Sequence, residues 1–186
     1  MNDMEIIKIV FGSLLTAGAI VLMVIAFKLF YKYMVQEKKC TARTKGIIRR
    51  YSLMNYGGEN AGVYLPIVFY TVNGKEYKVM GPEYKSIITK TVSSSAAENH
   101  KPYYEENQSL VIEKRVKSRS AVGSVAVYKD PIREMYPLDS EIDVYYNPEA
   151  PKLAYVLRYC DKKWAFWLTF LAGIAVLAAD ILILLL

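Results

Sequence analysis

Asp180 is the residue in this chain whose surroundings most need a chemical explanation. It lies in a run, residues 164–186, that is otherwise apolar apart from Thr169. A carboxylate inside such a helix is costly in a membrane and by default marks a functional contact. If this run pairs antiparallel with the apolar run near the N-terminus, Asp180 falls near the level of Gly12, Ser13 and Thr16, with Lys8 about one turn beyond. We therefore expect Asp180 to bond to Ser13, Thr16 or Lys8, or to a partner helix. Gly12, Ala17, Gly18 and Ala19 are small enough to let two helices approach closely. The blander reading is a near-terminal polar residue that reaches the far interface on its own.

Other candidates for chemistry are sparse. The one histidine, His100, stands beside Lys101 and Pro102 in a polar segment and reads as a solvated loop residue. Glu105 and Glu106 are adjacent, which favours a solvated surface over a paired-carboxylate site. No Gly-rich phosphate loop, nucleophile elbow or Cys/His metal cluster occurs. The sequence thus points away from an enzyme and implies no cofactor or metal. Lys114, Arg115, Lys117 and Arg119 form a basic run that reads first as a solvated face. Its second reading is a contact with anionic headgroups, at about 1 kcal/mol per basic residue near the surface. Stacking aromatics do not interleave the run, so nucleic acid is not expected as a partner. Cys40 and Cys160 are the two cysteines. Each stands close to an apolar run, and they form a candidate thiol pair, oxidised outside a cell and reduced in a cytosol. Two unrelated small residues are the equal alternative.

The elements that would position these residues begin with two apolar runs. From residue 9 to 27 nothing is charged, and only Ser13 and Thr16 are polar. About 20 such residues cross a hydrocarbon core at 1.5 Å rise each. Neither run shows the polar stripe of a soluble amphipathic helix. Phe30, Tyr31, Tyr33, Trp164 and Trp167 sit where interfacial aromatic belts form. We expect transmembrane helices over 9–31 and 164–186, after a short tail over 1–8. That tail carries Asp3 and Glu5 against Lys8, unlike the basic leader of a signal peptide, so the first run reads as an uncleaved anchor.

Two passes put both termini on one side. The net charge of +6 is concentrated on the other. Lys28, Lys32, Lys38, Lys39, Arg43 and Lys45 follow the first run; Lys152, Arg158, Lys162 and Lys163 precede the second. The positive-inside rule then places the middle of the chain in the cytosol and the termini outside, a rule that weakens for long loops.

That middle, residues 40–157, reads as strands and turns, with 81–123 as an irregular insertion. Within the insertion, residues 96–104 suit a helical turn and 110–116 a strand. Residues 41–51, 63–72, 75–80, 124–128 and 141–146 are expected strands, and 153–157 a short return. Asn73-Gly74 between two strand-like runs signals a tight type I′ hairpin. Pro66 suggests an edge or a bulge, and Gly46 a bulge. Short strands joined by turns suggest a small β-barrel or sandwich-like domain flanked by two transmembrane helices.

The residues Cys40-Thr41-Ala42, with Gly46, directly follow an apolar run. Tyr64, Pro66 and Val68 lie in a strand, and Tyr146-Asn147-Pro148 precede Pro151. Together, across roughly 40–155, they resemble a bacterial membrane-protein family catalogued as domain of unknown function number 3592. The resemblance implies a small β-domain flanked by membrane helices in a bacterial plasma membrane, and it implies no reaction. The expected role is a membrane-anchored binding or assembly module, its partners the lipid bilayer and other membrane proteins or a second copy. The alternative is an accessory or regulatory subunit of a transport or secretion complex.

Overall fold

The computed structural model describes residues 3–56, 63–93, 103–117, 125–126 and 130–185. Residues 1–37 with 161–186 form one compact unit, and residues 38–160 form another.

The first unit is a helical hairpin. Helix α1 (Asp3–Ile25) continues through one wide π-type turn (Ala26–Phe30) into α2 (Tyr31–Lys39). The sequence suggested a helix over 9–31, and the observed one is longer at both ends. Residues 32–39 are mostly good helix formers with no Gly or Pro to stop them. A later helix, Lys163–Leu185, returns antiparallel and is numbered α4 in chain order. It begins where Asp161 Oδ1 accepts the Lys163 N–H at 3.1 Å, a side-chain cap.

Gly12, Ala19, Ala26 and Tyr33 are buried at intervals of seven, as are Phe166, Gly173 and Asp180. That repeat is the seam of two helices packed at a shallow angle. At Gly173 the chains come so close that an added Cβ would lie 3.3 Å from the Ala19 carbonyl oxygen. Of the four small residues singled out from sequence, Gly12 and Ala19 lie on this seam. Ala17 and Gly18 are exposed, and nothing lies within 4 Å of a Cβ built on Gly18. One residue of helix is a rotation of about 100°, so neighbours of a seam residue leave the seam. Phe27 meets Phe166 and Phe170 edge-on at 5.4 and 5.8 Å. Further along, Lys163 Nζ pairs with Glu37 at 2.7 Å.

The second unit contains a curled antiparallel sheet. Its strands are β1 (Ala42–Tyr51), β2 (Pro66–Val72), β3 (Lys75–Met80), β8 (Glu141–Tyr146) and β9 (Ala154–Val156), in the order β3-β2-β1-β8-β9. Asn73 and Gly74 both have positive φ, +50° and +74°, as a type I′ hairpin requires. The edge strands curl towards each other. A Cβ on Gly81, just past β3, would lie 3.1 Å from Val156 Cβ in β9. The result is a half-barrel around Ile48, Val68, Tyr70, Val72, Ile142 and Val144.

Pro66 opens β2, an interior strand between β3 and β1. It is therefore neither on an edge nor in a bulge; a first strand position tolerates the missing N–H. The bulge instead falls between Ile48 and Arg50. Gly46 is regularly paired, and it is small because Val68 and Val144 crowd it from either side.

A second sheet is built from β4 (Ile87–Ser93), β5 (Tyr103–Glu106), β6 (Ser109–Lys117) and β7 (Val125–Ala126), within or just past the span expected to be irregular. β6 pairs with β4 in parallel and with β5 and β7 antiparallel. A parallel pair needs a crossover rather than a tight turn, and it carries no hairpin signature. Of the helical turn expected over 96–104, Tyr103 and Tyr104 are strand residues, and 96–102 lie outside the described residues. A short helix α3 (Pro131–Met135) follows, its N-terminus capped by Asp130 at 3.0 Å from Ile132 N with Pro131 in the first turn. Val63, Leu65, Tyr84, Leu110, Ile112 and Ile132 form a second core, and Tyr136 packs against both.

Candidate functional sites

Two polar arrangements stand out, one in each unit. In the hairpin, Thr16 Oγ1 donates to Asp180 Oδ2 at 2.5 Å. Asp180 is 3% exposed. Its other oxygen, Oδ1, is buried with no hydrogen-bond partner among the described residues. The geometry follows from the seam. Asp180 is seven residues beyond Gly173, and Thr16 is one turn from Gly12. Of the three sequence-derived partners, Thr16 makes the bond. Ser13 instead donates to the Val10 carbonyl of its own helix at 2.8 Å. Lys8 lies two turns before Thr16, about 12 Å along the axis, and among the described residues Asp180 bonds to Thr16 and not to Lys8.

In the second unit, four polar side chains gather where the half-barrel and the second sheet meet. Arg158 follows β9, Glu105 lies in β5, Tyr84 is in the β3–β4 connection, and Tyr136 follows α3. Arg158 Nη2 is 3.2 Å from Glu105 Oε2, and its Cζ sits 4.9 Å from the centroid of the Tyr84 ring. Tyr84 is 4% exposed. Its hydroxyl, with Arg158 Nη1 and Nη2, lacks an aligned hydrogen-bond partner among the described residues. Burial holds the Tyr84 phenol far above the ordinary tyrosine range, and the neighbouring Tyr136 and Glu105 push it the same way. Tyr136 is also raised, by burial and then by Glu105, against the opposing Tyr84 hydroxyl beside it and the charge of Arg158.

Sequence reasoning treated Arg158 as one of several charges flanking an apolar run and Glu105 as loop surface. Their convergence was not readable, because it depends on two sheets folding together. The local hint is a large aromatic, Tyr84, two residues after the Gly81-Pro82 pair.

The remaining sequence candidates are dispersed. Neither cysteine is in a disulfide, and both are buried. Cys40 Sγ lies 3.3 Å from the Leu153 carbonyl oxygen, and burial pushes its thiol up to about 11. Lys114, Arg115 and Lys117 belong to β6, the strand between β4 and β5. Arg119 and His100 lie outside the described residues. Among the described residues, no group of three or more His, Cys, Asp and Glu side chains is placed to hold a metal ion.

No protein-family model matches the chain, and neither a curated protein nor a solved structure matches it.

Proposed function

We propose that this chain is a two-pass membrane protein whose helical hairpin anchors a small β-domain that works by binding, as an assembly module of a bacterial plasma membrane. One observation carries the anchoring. The two helices are long and apolar enough to cross a membrane. Leu14, Val21, Leu168, Leu171 and Leu182 are each more than half exposed on them. Asp180, by contrast, is buried against Thr16. Apolar outside and polar inside is the reverse of a water-soluble hairpin, and lipid is the solvent that suits it. The π-type turn and the Phe27–Phe166 cluster stand next to the basic flanks, as an interfacial belt would.

The resemblance to the bacterial family of unknown function supports the same architecture through Cys40-Thr41-Ala42, Tyr64 with Pro66, and Tyr146-Asn147-Pro148. The basic flanks favour a cytosolic β-domain with both termini outside. Binding is the role that best suits a Tyr-rich domain with a half-satisfied polar cluster, since tyrosine is enriched at interfaces.

Two measurements test this reading. The protein should stay with membranes through alkaline carbonate washing; release into the supernatant defeats the anchoring. For sidedness the native thiols are poor reporters, being buried. Leu53 is fully exposed, so Leu53→Cys supplies one. A membrane-impermeant maleimide should label it only after lysis. Labelling in intact cells would put the domain outside.

A further inference from the structure

We propose that Arg158 anchors a carboxylate-binding site that Glu105 occupies from within the chain, with the Tyr84 hydroxyl as its second donor. This deepens the binding role proposed above by naming the partner's chemistry, and it rests on that role.

The site sits where two sheets end. β9 is an edge of the half-barrel, and β5 is an edge of the second sheet. The Arg158–Glu105 contact spans from one to the other. Arg158 is aimed by its backbone. Leu157 takes a left-handed φ of +61°, uncommon for a bulky residue. Its N–H bonds to the Asp143 carbonyl at 2.7 Å, and the Arg158 N–H to that of Val156 at 2.7 Å. Such strain persists where surrounding structure over-determines it, and it clusters at ligand clamps.

The present occupant fits poorly. A carboxylate held by a guanidinium fork makes two parallel bonds of about 2.7–2.9 Å. Glu105 makes one contact to the guanidinium, at 3.2 Å and without hydrogen-bond alignment, and its carboxylate also lies beside the Tyr84 hydroxyl. Both terminal nitrogens of Arg158 thus lack an aligned acceptor among the described residues, and the Tyr84 hydroxyl, though beside Glu105 and Tyr136, is not aligned on either. Buried donors in that state are rare enough to demand an explanation. A planar group with two acceptor oxygens answers all three.

Charge balance favours a carboxylate over a phosphate. A carboxylate that displaces Glu105 replaces one negative charge on Arg158 by another, whereas a phosphate would add a second. The exchange is open on one side. Glu105 and Arg158 side chains are 31% and 24% exposed, so Glu105 can swing into water as the ligand enters. Tyr84 remains fixed beneath the guanidinium. The carboxylate can come from a polypeptide C-terminus, an acidic side chain or a small acid.

The test uses the full chain in lipid nanodiscs, with N-acetylglycine as probe and N-acetylglycinamide as its carboxylate-free control. Binding is followed by the tyrosine near-ultraviolet circular dichroism signal at constant ionic strength. If the internal carboxylate occupies the site about nine-tenths of the time, removing it raises apparent affinity about tenfold. Glu105→Gln should therefore bind N-acetylglycine about tenfold more tightly than the native chain, and Tyr84→Phe should weaken binding in that background. Arg158→Lys, which keeps the charge and loses the fork, should abolish it. Glu105→Ala repeats the test should the glutamine variant fold badly. Inorganic phosphate binding better than N-acetylglycine would overturn the carboxylate assignment. So would an equal response to the amide control, or no saturable binding by either Glu105 variant. Membrane retention reads the anchoring separately, so failure here leaves that part of the functional proposal standing.

Discussion

Thr16 and Asp180 are 164 positions apart in sequence and 2.5 Å apart across the helical hairpin. The bond satisfies one carboxylate oxygen and leaves the other without a partner among the described residues. This asymmetry fixes the order of mutational effects. Thr16→Val removes the donor and strands a buried carboxylate, at a cost of about 1–3 kcal/mol. Asp180→Leu removes the polar group altogether, and apolar replacement of a buried polar contact is often close to neutral. The threonine variant should therefore be the less stable of the two in a detergent-unfolding titration of the hairpin. In the double variant, Thr16→Val should cost little beyond Asp180→Leu alone. A threonine variant as stable as the native chain would show that the bond is incidental.

Gly173 and Gly18, on and off the seam of the hairpin, should respond with opposite signs. A Cβ on Gly173 would meet Met23 Cγ at 3.2 Å and the Ala19 carbonyl oxygen at 3.3 Å. Side chains can turn aside, but a helix backbone cannot. Gly173→Ala should push the helices apart by a few tenths of an ångström and lower hairpin stability by about 1 kcal/mol or more. Gly18 meets nothing within 4 Å, so Gly18→Ala should gain about 0.5–1 kcal/mol from the stiffer backbone alone. Equal effects at both sites would mean that the seam lies elsewhere.

Gly46 offers the corresponding test in the half-barrel. A Cβ there would lie 2.5 Å from Val68 Cγ1, 2.9 Å from Val144 Cγ2 and 3.0 Å from the Phe69 carbonyl oxygen. The position is regularly paired on both sides, with Tyr70 and Ile142. Gly46→Ala should destabilise the domain by about 1–3 kcal/mol through overpacking. Val68→Ala in the same chain should recover part of that loss by opening room for the methyl. Urea denaturation of the single and double variants reads the coupling, and strictly additive losses would count against the contact.

What could be read from the sequence follows the range of the signal. The apolar runs, the Asn73-Gly74 hairpin and the strand over Glu141–Tyr146 are local, and each is visible within about ten residues. Lys90, Glu113 and Lys114 interrupt the apolar pattern of β4 and β6, whose parallel pairing also lacks a turn signature, so that sheet looked irregular. Asp180 could be singled out because a lone carboxylate in an apolar run is conspicuous by itself. Choosing Thr16 over Ser13 needed the rotation of the helix, which puts Ser13 on an exposed face. Arg158, Glu105, Tyr84 and Tyr136 come from four separate connections and strands, and no one-dimensional spacing brings them together.

The β-domain should lose stability on the alkaline side. Burial raises the Cys40 thiol from about 9 to about 11 and the Tyr70 phenol from about 10 to about 12. Cys40, Tyr77 and Tyr146 add to the shift at Tyr70. Tyr84 and Tyr136 move the same way. For each group the neutral form is favoured more in the folded chain than in the unfolded one. Their stabilising effect is complete below the unfolded values and is lost as pH climbs towards the folded ones. Urea midpoints should thus hold level up to about pH 8.5 and then fall between about pH 9 and 12. Tyr70→Phe removes one of the shifted groups, along with a hydroxyl that donates to the Pro151 carbonyl. It should be less stable than the native chain at neutral pH yet lose less between pH 9 and 12, so the two curves converge. Parallel curves would mean that Tyr70 ionises as freely in the folded domain as in the unfolded chain, and its burial could not then be what keeps it neutral.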